Sequence, residues 1–166
     1  MSLINKSISN YKIVSVIGHG GMSIIYKAIK ESYEDDNTFA IKVLNQNYTY
    51  NKNLRERFIN EGNELKKISC RNIVKVFEVI ENDDFCGIVM ELLEGENLLS
   101  YTLNNSPLSN KSIDHFFAQA VRSISHIHQK GLIHRDIKPS NFFVEKNNRL
   151  KLLDFGIVKD LNTDYT

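Results

Sequence analysis

The chain of 166 residues has almost no net charge and no long apolar run. Its formal net charge of +1 provides no overall field that would attract nucleic acid or a membrane surface. No apolar stretch approaches the roughly 20 residues that a membrane-spanning helix requires. The start of the chain interrupts its apolar positions with Asn, Lys and Ser, so a signal peptide is not predicted.

Cysteine is scarce as well, since the chain has only Cys70 and Cys86. Two cysteines at this spacing predict neither a metal site nor a disulfide framework, so we expect reduced packing residues in a cytoplasmic protein. Hydrophobic residues make up 42% and charged residues 25%, as is ordinary for a soluble globular protein. The length allows one domain, or one domain and part of a second.

The first half of the chain predicts a five-stranded antiparallel sheet with one helix. The strands are expected at Tyr11–Ile17, Ile24–Ile29, Phe39–Leu44, Ile73–Ile80 and Phe85–Glu91. The first two flank a glycine-rich turn, 18–23, whose backbone N–H groups could approach phosphate oxygens closely. A glycine-rich turn without a ligand is the commoner case. A dinucleotide-binding fingerprint is disfavoured, because a strand follows the turn and Ser23 stands where that fingerprint has glycine.

Two charged residues occupy apolar positions in this half. Lys42 lies within an otherwise apolar strand, and Glu61 fills the one gap in an apolar helical stripe that follows a predicted N-cap at Asn53. A buried carboxylate costs several kcal/mol unless it meets a cation, so a Lys42–Glu61 ion pair would explain both. Alternatively, Lys42 points outward from an edge strand and Glu61 extends to solvent at the edge of the stripe.

Helical patterns dominate the second half after a predicted linker at 94–97. The longest helix is expected to have Ser109 as its N-cap and to end at Gly131. Its apolar and aromatic stripe is predicted to be core, with members at Ile113, Phe116, Phe117, Ala120, Val121, Ile124 and Ile127. The histidines near it show no ligand pattern and are treated as structural.

A hairpin is predicted near the C-terminus. The polar pair Asn147-Asn148 lies between two apolar runs, Phe142–Val144 and Leu150–Leu153. A two-residue turn at this pair places Asn141 directly opposite Asp154. An amide oxygen and a carboxylate in that arrangement suit Mg²⁺, which takes its remaining ligands from waters and phosphates. Asp136 precedes Asn141 by five residues.

Taken in order, these features resemble the protein kinases, in particular the Ser/Thr type found in bacteria as well as eukaryotes. The similarity runs from about Tyr11 to Lys159. It rests on the segments GHGGMSIIYKA, FAIK, IVMELLEG, HRDIKPSN and DFG, together with Glu61. The resemblance implies an α+β, protein-kinase-like two-lobe fold, with an N-lobe at 1–93 and a truncated, mainly helical C-lobe at 94–166.

The resemblance also implies a set of site residues for Mg²⁺ and ATP. Lys42, oriented by Glu61, would hold the α- and β-phosphates, Lys138 would neutralise the γ-phosphate, and Asp136 would accept a hydrogen bond from the attacking hydroxyl. Asn141 and Asp154 would hold the magnesium ion. The nucleotide would further contact Ile17, Gly18, Gly20, Gly21, Ser23, Ile25, Ala40 and Phe143, with Met90 as gatekeeper and hinge backbone at Glu91 and Leu93.

The implied function is transfer of the γ-phosphate of ATP to a Ser or Thr hydroxyl of a protein. Lys138 favours the Ser/Thr class, and Arg135 favours control by phosphorylation of the activation segment. Two departures are present: Ser23 replaces the third glycine, and only ten residues follow Asp154-Phe155-Gly156. The second departure leaves open a module that binds nucleotide without phosphotransfer. A small-molecule phosphotransferase of related fold is disfavoured.

Overall fold

The computed structural model describes residues 3–31, 38–82 and 85–153, and the backbone of 159–160. It divides into two compact units, Met1–Lys67 with Lys75–Leu92, and Ile68–Val74 with Leu93–Thr166. The sequence placed 68–74 in the first unit. Ile73 instead bridges to Leu152, and the N–H of Val74 donates to the Leu152 carbonyl over 2.9 Å. This backbone pairing ties the segment to the second unit.

The first unit contains the predicted antiparallel sheet. Its elements are β1 (Ser7–Ile8), β2 (Tyr11–His19), β3 (Ser23–Lys30), β4 (Thr38–Leu44), α1 (Gln46–Thr49), α2 (Lys52–Lys66), β5 (Val76–Asn82) and β6 (Phe85–Glu91). The strand order is β1-β2-β3-β4-β6-β5. The five predicted strands and the helix α2 are present. The short elements β1 and α1 are additional, and each is too short to show a periodic pattern.

Helix α2 packs very closely against the sheet. Its N-cap is Asn51 rather than the predicted Asn53, because the Asn51 side-chain oxygen accepts from the N–H of Leu54 over 3.2 Å. A Cβ on Gly62 would lie 2.8 Å from Val79 and 2.9 Å from Ile88. Gly62 therefore costs the helix about 1 kcal/mol in propensity but permits this approach, which brings the neighbouring Glu61 close to the sheet.

The two faces of β4 carry different side chains. Ile41 and Val43 are buried in a hydrophobic core on one face, together with Ile13, Tyr26 and Val89. Ala40 and Lys42 alternate with them and therefore project from the opposite face. That face is the one on which the Glu61 side chain of α2 meets Lys42.

The second unit combines helices with a small three-stranded sheet, in which Phe142–Glu145 lies between Leu150–Leu152 and Gly95–Asn97. Its elements are β7 (Gly95–Asn97), α3 (Leu98–Asn104), α4 (Asn110–Gln129), β8 (Leu132–Ile133), a 3₁₀ helix (Pro139–Asn141), β9 (Phe142–Glu145), β10 (Leu150–Leu152) and β11 (Lys159–Asp160). The predicted linker at 94–97 is wrong, because three of its residues form β7 and pair with β9.

Helix α4 has the predicted ends. The Ser109 side chain accepts from the N–H of Ser112 over 3.1 Å, and Gly131 follows the helix with a φ of 74°. The predicted core stripe is only partly buried: Phe116 and Ile127 are buried, whereas Phe117 is 70% exposed. The interpretation of Phe117 as core is therefore wrong, and so is that of Ile113 and Val121, which are 50% and 48% exposed. No helix in the described part of the chain is long and apolar enough to cross a membrane.

A buried polar cluster joins α4 to the hairpin formed by β9 and β10. The Asn72 amide nitrogen donates to the Gln119 side-chain oxygen and to the Leu150 carbonyl, both over 2.8 Å. Gln119 also accepts from the Leu150 N–H over 3.0 Å and donates to the Asn148 carbonyl over 3.2 Å. Because Asn72 is 1% and Gln119 7% exposed, these bonds replace water that the groups have lost.

We expect Gln119→Leu to destabilise the protein by about 2–4 kcal/mol, because it leaves the buried Asn72 amide and the Leu150 N–H without their acceptor. Urea unfolding followed by circular dichroism measures this free energy. Gln129→Leu, at the exposed end of α4, is the matched control and should change it by less than about 0.5 kcal/mol. Equal unfolding midpoints for the two variants would contradict a structural role for the cluster.

The hairpin has a different register from the predicted one. Leu150 pairs with Val144, and the N–H of Glu145 donates to the Arg149 carbonyl over 2.9 Å, so three residues form the loop. Of the pair Asn147-Asn148, only Asn148 has a positive φ, 59°, whereas a two-residue turn of type I′ requires two such residues and one of type II′ requires it at the first. The three-residue loop combines an ordinary turn with one left-handed residue.

This register corrects the predicted pairing of Asn141 with Asp154. The N–H of Leu153 donates to the Asn141 carbonyl over 2.8 Å, so Leu153 lies where the sequence placed Asp154. The strand β10 ends at Leu152, so strand alternation gives no direction for the side chain two residues later. Asp154 itself lies outside the described residues.

Candidate active site

Lys42 and Glu61 form the predicted ion pair within the first unit. The Lys42 Nζ lies 2.9 Å from Glu61 Oε1, and the side chains are only 12% and 10% exposed. The Phe58 ring, one helical turn before Glu61, lies 5.8 Å from the same Nζ. The alternatives given by the sequence, an outward lysine and a glutamate that extends to solvent, would leave both side chains far more exposed and are therefore wrong.

The position of Lys42 follows from the strand pairing. Lys42 lies directly opposite Ile25 of β3 and opposite Ile88 of β6, so it occupies the middle of the sheet rather than an edge. A central strand fixes its backbone on both sides. The ammonium group is therefore held in place both by the sheet and by a carboxylate from α2.

The glycine-rich turn joins β2 and β3 at the end of the sheet. The N–H of Gly20 donates to the Ser23 carbonyl over 2.8 Å, and the N–H of Asn45 donates to the Met22 carbonyl over 2.9 Å. A Cβ on Gly21 would meet nothing within 4 Å, and one on Gly18 would meet Ile25 at 3.4 Å. Backbone hydrogen bonds therefore hold the shape of the turn, and there is free space next to Gly21 where a side chain would stand.

The predicted adenine contacts of the first unit lie near Lys42. Ala40 precedes Lys42 by two residues in β4 and pairs with Met90 of β6, and Ile25 is opposite Lys42. Ile17 is 48% exposed and comes directly before the glycine turn. Ala40 and Ile25 therefore lie on neighbouring positions of the same sheet face as Lys42, and their contact with adenine stays a prediction.

The structure gives less direct information on the predicted hinge residues, Glu91 and Leu93, and on the predicted nucleotide contact Phe143. The N–H of Glu91 donates to the Lys75 carbonyl over 3.0 Å, and its side chain accepts from the Lys75 N–H over 2.7 Å. The N–H of Glu91 is therefore already used by a hydrogen bond within the first unit. Leu93 and Phe143 belong to the second unit, where Phe143 pairs with Lys151 across the hairpin. Their contact with a nucleotide stays a prediction.

Asp136, Lys138 and Asn141 come together in the second unit. The Asp136 Oδ2 lies 2.7 Å from Lys138 Nζ and accepts from the Asn141 amide nitrogen over 2.9 Å. The same amide nitrogen donates to the Asp136 carbonyl over 2.8 Å. The Lys138 ammonium and the Asn141 amide hold the pKa of the Asp136 carboxyl below its ordinary value. The carboxylate is therefore ionised and oriented at neutral pH.

The backbone between β8 and β9 creates this arrangement. Arg135 has a φ of 62°, which turns the chain sharply just before Asp136. Pro139 begins the 3₁₀ helix, where its missing N–H costs nothing, and the Asn141 N–H donates to the Lys138 carbonyl over 3.0 Å. The helix thus points the Asn141 side chain back at Asp136.

Sequence reasoning missed the role of His134 in this loop. It is 1% exposed, and its Nδ1 accepts from the Asp136 N–H over 3.3 Å. The imidazole therefore fixes the backbone next to the carboxylate. Only the position of His134 two residues before Asp136, in the motif HRD, could have indicated this hydrogen bond. An isolated buried histidine produces no periodic pattern.

The Asn141 side chain has an oxygen suited to a metal ion. Its amide nitrogen is used twice by Asp136, so the Oδ1 atom remains for a hard cation such as Mg²⁺. Within the described ranges, no three His, Cys, Asp or Glu side chains cluster as metal ligands. Mg²⁺ bound partly by an amide and partly by phosphates would not require such a cluster. The donor chemistry of Asn141 Oδ1 suits the ion, but the predicted site of Asn141 and Asp154 stays a prediction, because Asp154 lies outside the described residues.

Comparisons with known proteins agree with this geometry. Residues 11–166 match the family model described as the protein kinase domain. The chain is 38% identical over 97% of its length to the serine/threonine-protein kinase PrkC of Bacillus subtilis, and 34% identical over 92% to the probable serine/threonine-protein kinase PknB of Lactococcus lactis. It is 30% identical over 95% to the serine/threonine-protein kinase cds1 of Schizosaccharomyces pombe.

The chain spans only part of these relatives, namely 25% of the first, 24% of the second and 35% of the third. The family model nevertheless covers nearly all of the chain. Since that match includes the strand of Lys42, the helix of Glu61 and the loop of Asp136, the chain belongs to the protein kinase domain family.

Proposed function

We propose that the protein transfers the γ-phosphate of Mg²⁺-ATP to a Ser or Thr hydroxyl of a protein. The observation that carries this proposal is the loop in which Asp136 is held by Lys138 and Asn141. Both of these partners contact Oδ2, and none of the described residues donates to Oδ1. Oδ1 is therefore the atom that would accept the hydrogen bond of the attacking hydroxyl.

In this proposal Asp136 orients the hydroxyl toward the γ-phosphorus. A bond forms between the hydroxyl oxygen and that phosphorus, the bond to the bridging oxygen of ADP breaks, and the proton passes to Asp136. In the loose transition state expected for phosphoryl transfer, the proton leaves late, so a carboxylate with a low pKa suffices. Lys138, 2.7 Å from Asp136, would place its positive charge near the transferred group.

Lys42 and Glu61 would position the nucleotide. The ammonium would bind the α- and β-phosphates, while Glu61 holds it in place so that little side-chain entropy is lost on binding. Asn141 Oδ1 and Asp154 would hold Mg²⁺, which neutralises charge on the phosphates when bound. The free Cys70 and Cys86 support a reducing compartment, and we propose the cytoplasm.

Radiolabelled ATP tests this function directly. With Mg²⁺ present, we expect transfer of label to a general protein substrate such as casein, or to the chain itself, and recovery of phosphoserine or phosphothreonine after acid hydrolysis. Asp154→Ala should lower the rate by at least about 10²-fold, because the transition-state charge loses a stabilising group. Asp114→Ala, an exposed acid on α4, is the control and should have the wild-type rate.

The result distinguishes the proposal from its alternatives. Binding of ATP without transfer, shown by Mg²⁺-dependent thermal stabilisation alone, would favour a nucleotide-binding module. Transfer to small metabolites but not to proteins would favour a small-molecule phosphotransferase. Absence of any ATP binding would contradict all three.

A further inference from the structure

Helix α2 crosses a row of side chains that runs over three strands of the sheet. Val79 of β5 lies directly opposite Ile88 of β6, and Ile88 lies directly opposite Lys42 of β4. Residues that are directly opposite each other project from the same face, so all three side chains point to the side on which Glu61 meets Lys42. The row therefore joins the ion pair to two apolar side chains on the neighbouring strands.

Gly62 lies directly on the apolar part of this row. It is buried, and a Cβ at this position would stand 2.8 Å from Val79 Cγ2, 2.9 Å from Ile88 Cγ1 and 3.1 Å from Ile88 Cδ1. Carbon atoms in contact are optimally about 3.5–4.0 Å apart, so roughly 1 Å of separation is missing. Ile88 is 1% exposed and belongs to a strand paired on both sides, so it has no space into which to withdraw. A side chain at position 62 would therefore push α2 away from the sheet.

This displacement would act on the ion pair, because Glu61 is the residue next to Gly62 in the helix. Glu61 Oε1 lies 2.9 Å from Lys42 Nζ, and a further separation of about 1 Å would exceed the range of an N–H···O hydrogen bond, about 2.7–3.2 Å. The Phe58 ring, on the same helix, lies 5.8 Å from the same Nζ and would move with Glu61. Two groups of α2 that contact the ammonium therefore depend on the distance that Gly62 allows.

A glycine between a helix and a sheet can serve packing alone, but two observations indicate more at Gly62. It is adjacent to the carboxylate of the pair, and it rests on Ile88, the residue directly opposite Lys42. Glycine also weakens α2 through its low helix propensity. Packing alone would be satisfied by alanine on a slightly more distant helix, without that loss.

We propose that Gly62 is a positioning residue for phosphoryl transfer, because the absence of its side chain sets the distance at which Glu61 holds the Lys42 ammonium. The inference rests on the proposed function and extends it to a residue to which no contact with the nucleotide is assigned. It explains why the interior of α2 has a residue that is unfavourable for a helix. Gly62→Ala, which should favour the helix itself, is then expected to impair the reaction.

The first test compares Gly62→Ala with Asn63→Ala, which places the same good helix former at the exposed neighbouring position of α2. Transfer from Mg²⁺-ATP is measured at saturating ATP, at a temperature at which circular dichroism shows every protein to be folded. Gly62→Ala should lower the rate by about 10–100-fold, since misplacement of a catalytic group by 1 Å can cost 10²-fold. Asn63→Ala should have the wild-type rate. A wild-type rate for Gly62→Ala as well would overturn the proposal.

A second substitution tests whether the contact with Ile88 is the cause. Ile88→Ala removes the Cγ1 and Cδ1 atoms that the new Cβ would meet, and the partly buried Val79 side chain can turn aside. Gly62→Ala should therefore lower the rate much less in an Ile88→Ala background than in wild type. The ratio of rates with and without Gly62→Ala is compared, so any effect of Ile88→Ala itself cancels. An equal ratio in both backgrounds would contradict the proposal.

The ion pair can also be measured without activity. A double-mutant cycle with Lys42→Met and Glu61→Leu in urea unfolding gives the coupling free energy of the two side chains. This coupling should be largely lost in a Gly62→Ala background and retained with Asn63→Ala, because only the first substitution separates the pair. Unchanged coupling in Gly62→Ala would refute the inference and leave the proposed function intact. If wild type transfers no phosphate, the proposed function fails, and the coupling still decides whether Gly62 sets the distance of the pair.

Discussion

Lys42→Met is expected to lower the rate of phosphoryl transfer by at least about 10²-fold and to destabilise the fold as well. The rate falls because the phosphates lose their fixed cation. The stability falls because Glu61, 10% exposed, loses the ammonium group that it contacts at 2.9 Å. Removal of one member of a buried ion pair costs about 3 kcal/mol. Transfer from ATP and urea unfolding measure the two effects separately.

A double variant separates catalysis from stability. In Lys42→Met with Glu61→Leu, both charges are absent, so most of the lost stability should return while the rate stays low. Lys12→Met, on the exposed side of β2, is the control and should leave both quantities unchanged. Recovery of activity together with stability would show that the pair serves only the fold, which would contradict its proposed role.

The Lys42–Glu61 pair illustrates what the sequence could predict. Each residue interrupts an apolar pattern of known period, two residues in a strand and 3.6 in a helix, so each identifies the face it occupies. Burial of two opposite charges is tolerable only if they meet, and they do, at 2.9 Å. The same reasoning located five strands and both ends of α4, because these depend on local pattern and capping.

The register of the hairpin could not be predicted from the sequence. Both Asn147 and Asn148 tolerate a left-handed backbone, but only Asn148 adopts it, with a φ of 59°. The choice between a two-residue and a three-residue loop depends on contacts far away in the chain. One such contact is the donation by Gln119 to the Asn148 carbonyl. Local composition does not contain that information.

The burial of α4 shows a related limit. Its apolar stripe was wide enough to predict a core, yet Phe116 is buried while the adjacent Phe117 is 70% exposed. Periodicity gives the direction of each side chain around the helix but does not say which directions face other elements. The buried face of α4 instead includes the polar residues Gln119 and Ser123, which were not members of the predicted stripe.

Asp136→Asn is expected to reduce the rate of phosphoryl transfer by about 10²–10³-fold, within the range of general-base contributions. The substitution conserves size but removes the charge that accepts from Lys138 and orients the hydroxyl. The affinity for ATP should remain close to that of wild type, because the proposed partner of the carboxylate is the hydroxyl of the protein substrate rather than the nucleotide. Asp114→Asn on α4 is the matched control, and a rate within tenfold of wild type for Asp136→Asn would contradict the assignment.

The pH dependence of the rate tests the same carboxylate without replacing it. Asp136 must be ionised to accept the hydrogen bond, and its pKa is lowered first by Lys138 and then by Asn141. Activity should therefore persist as the pH falls through the ordinary aspartate range of about 4, and should be lost only at lower pH.

In Lys138→Met the main cause of the pKa shift is removed, so the acidic limb of the pH–rate profile should move upward toward that range. Stopped-flow transfer with brief exposure to acid, corrected for unfolding by circular dichroism, measures both limbs. An acidic limb at the same pH in both proteins would show that Asp136 does not control it, because Lys138 stabilises only the ionised form of the carboxyl that it contacts.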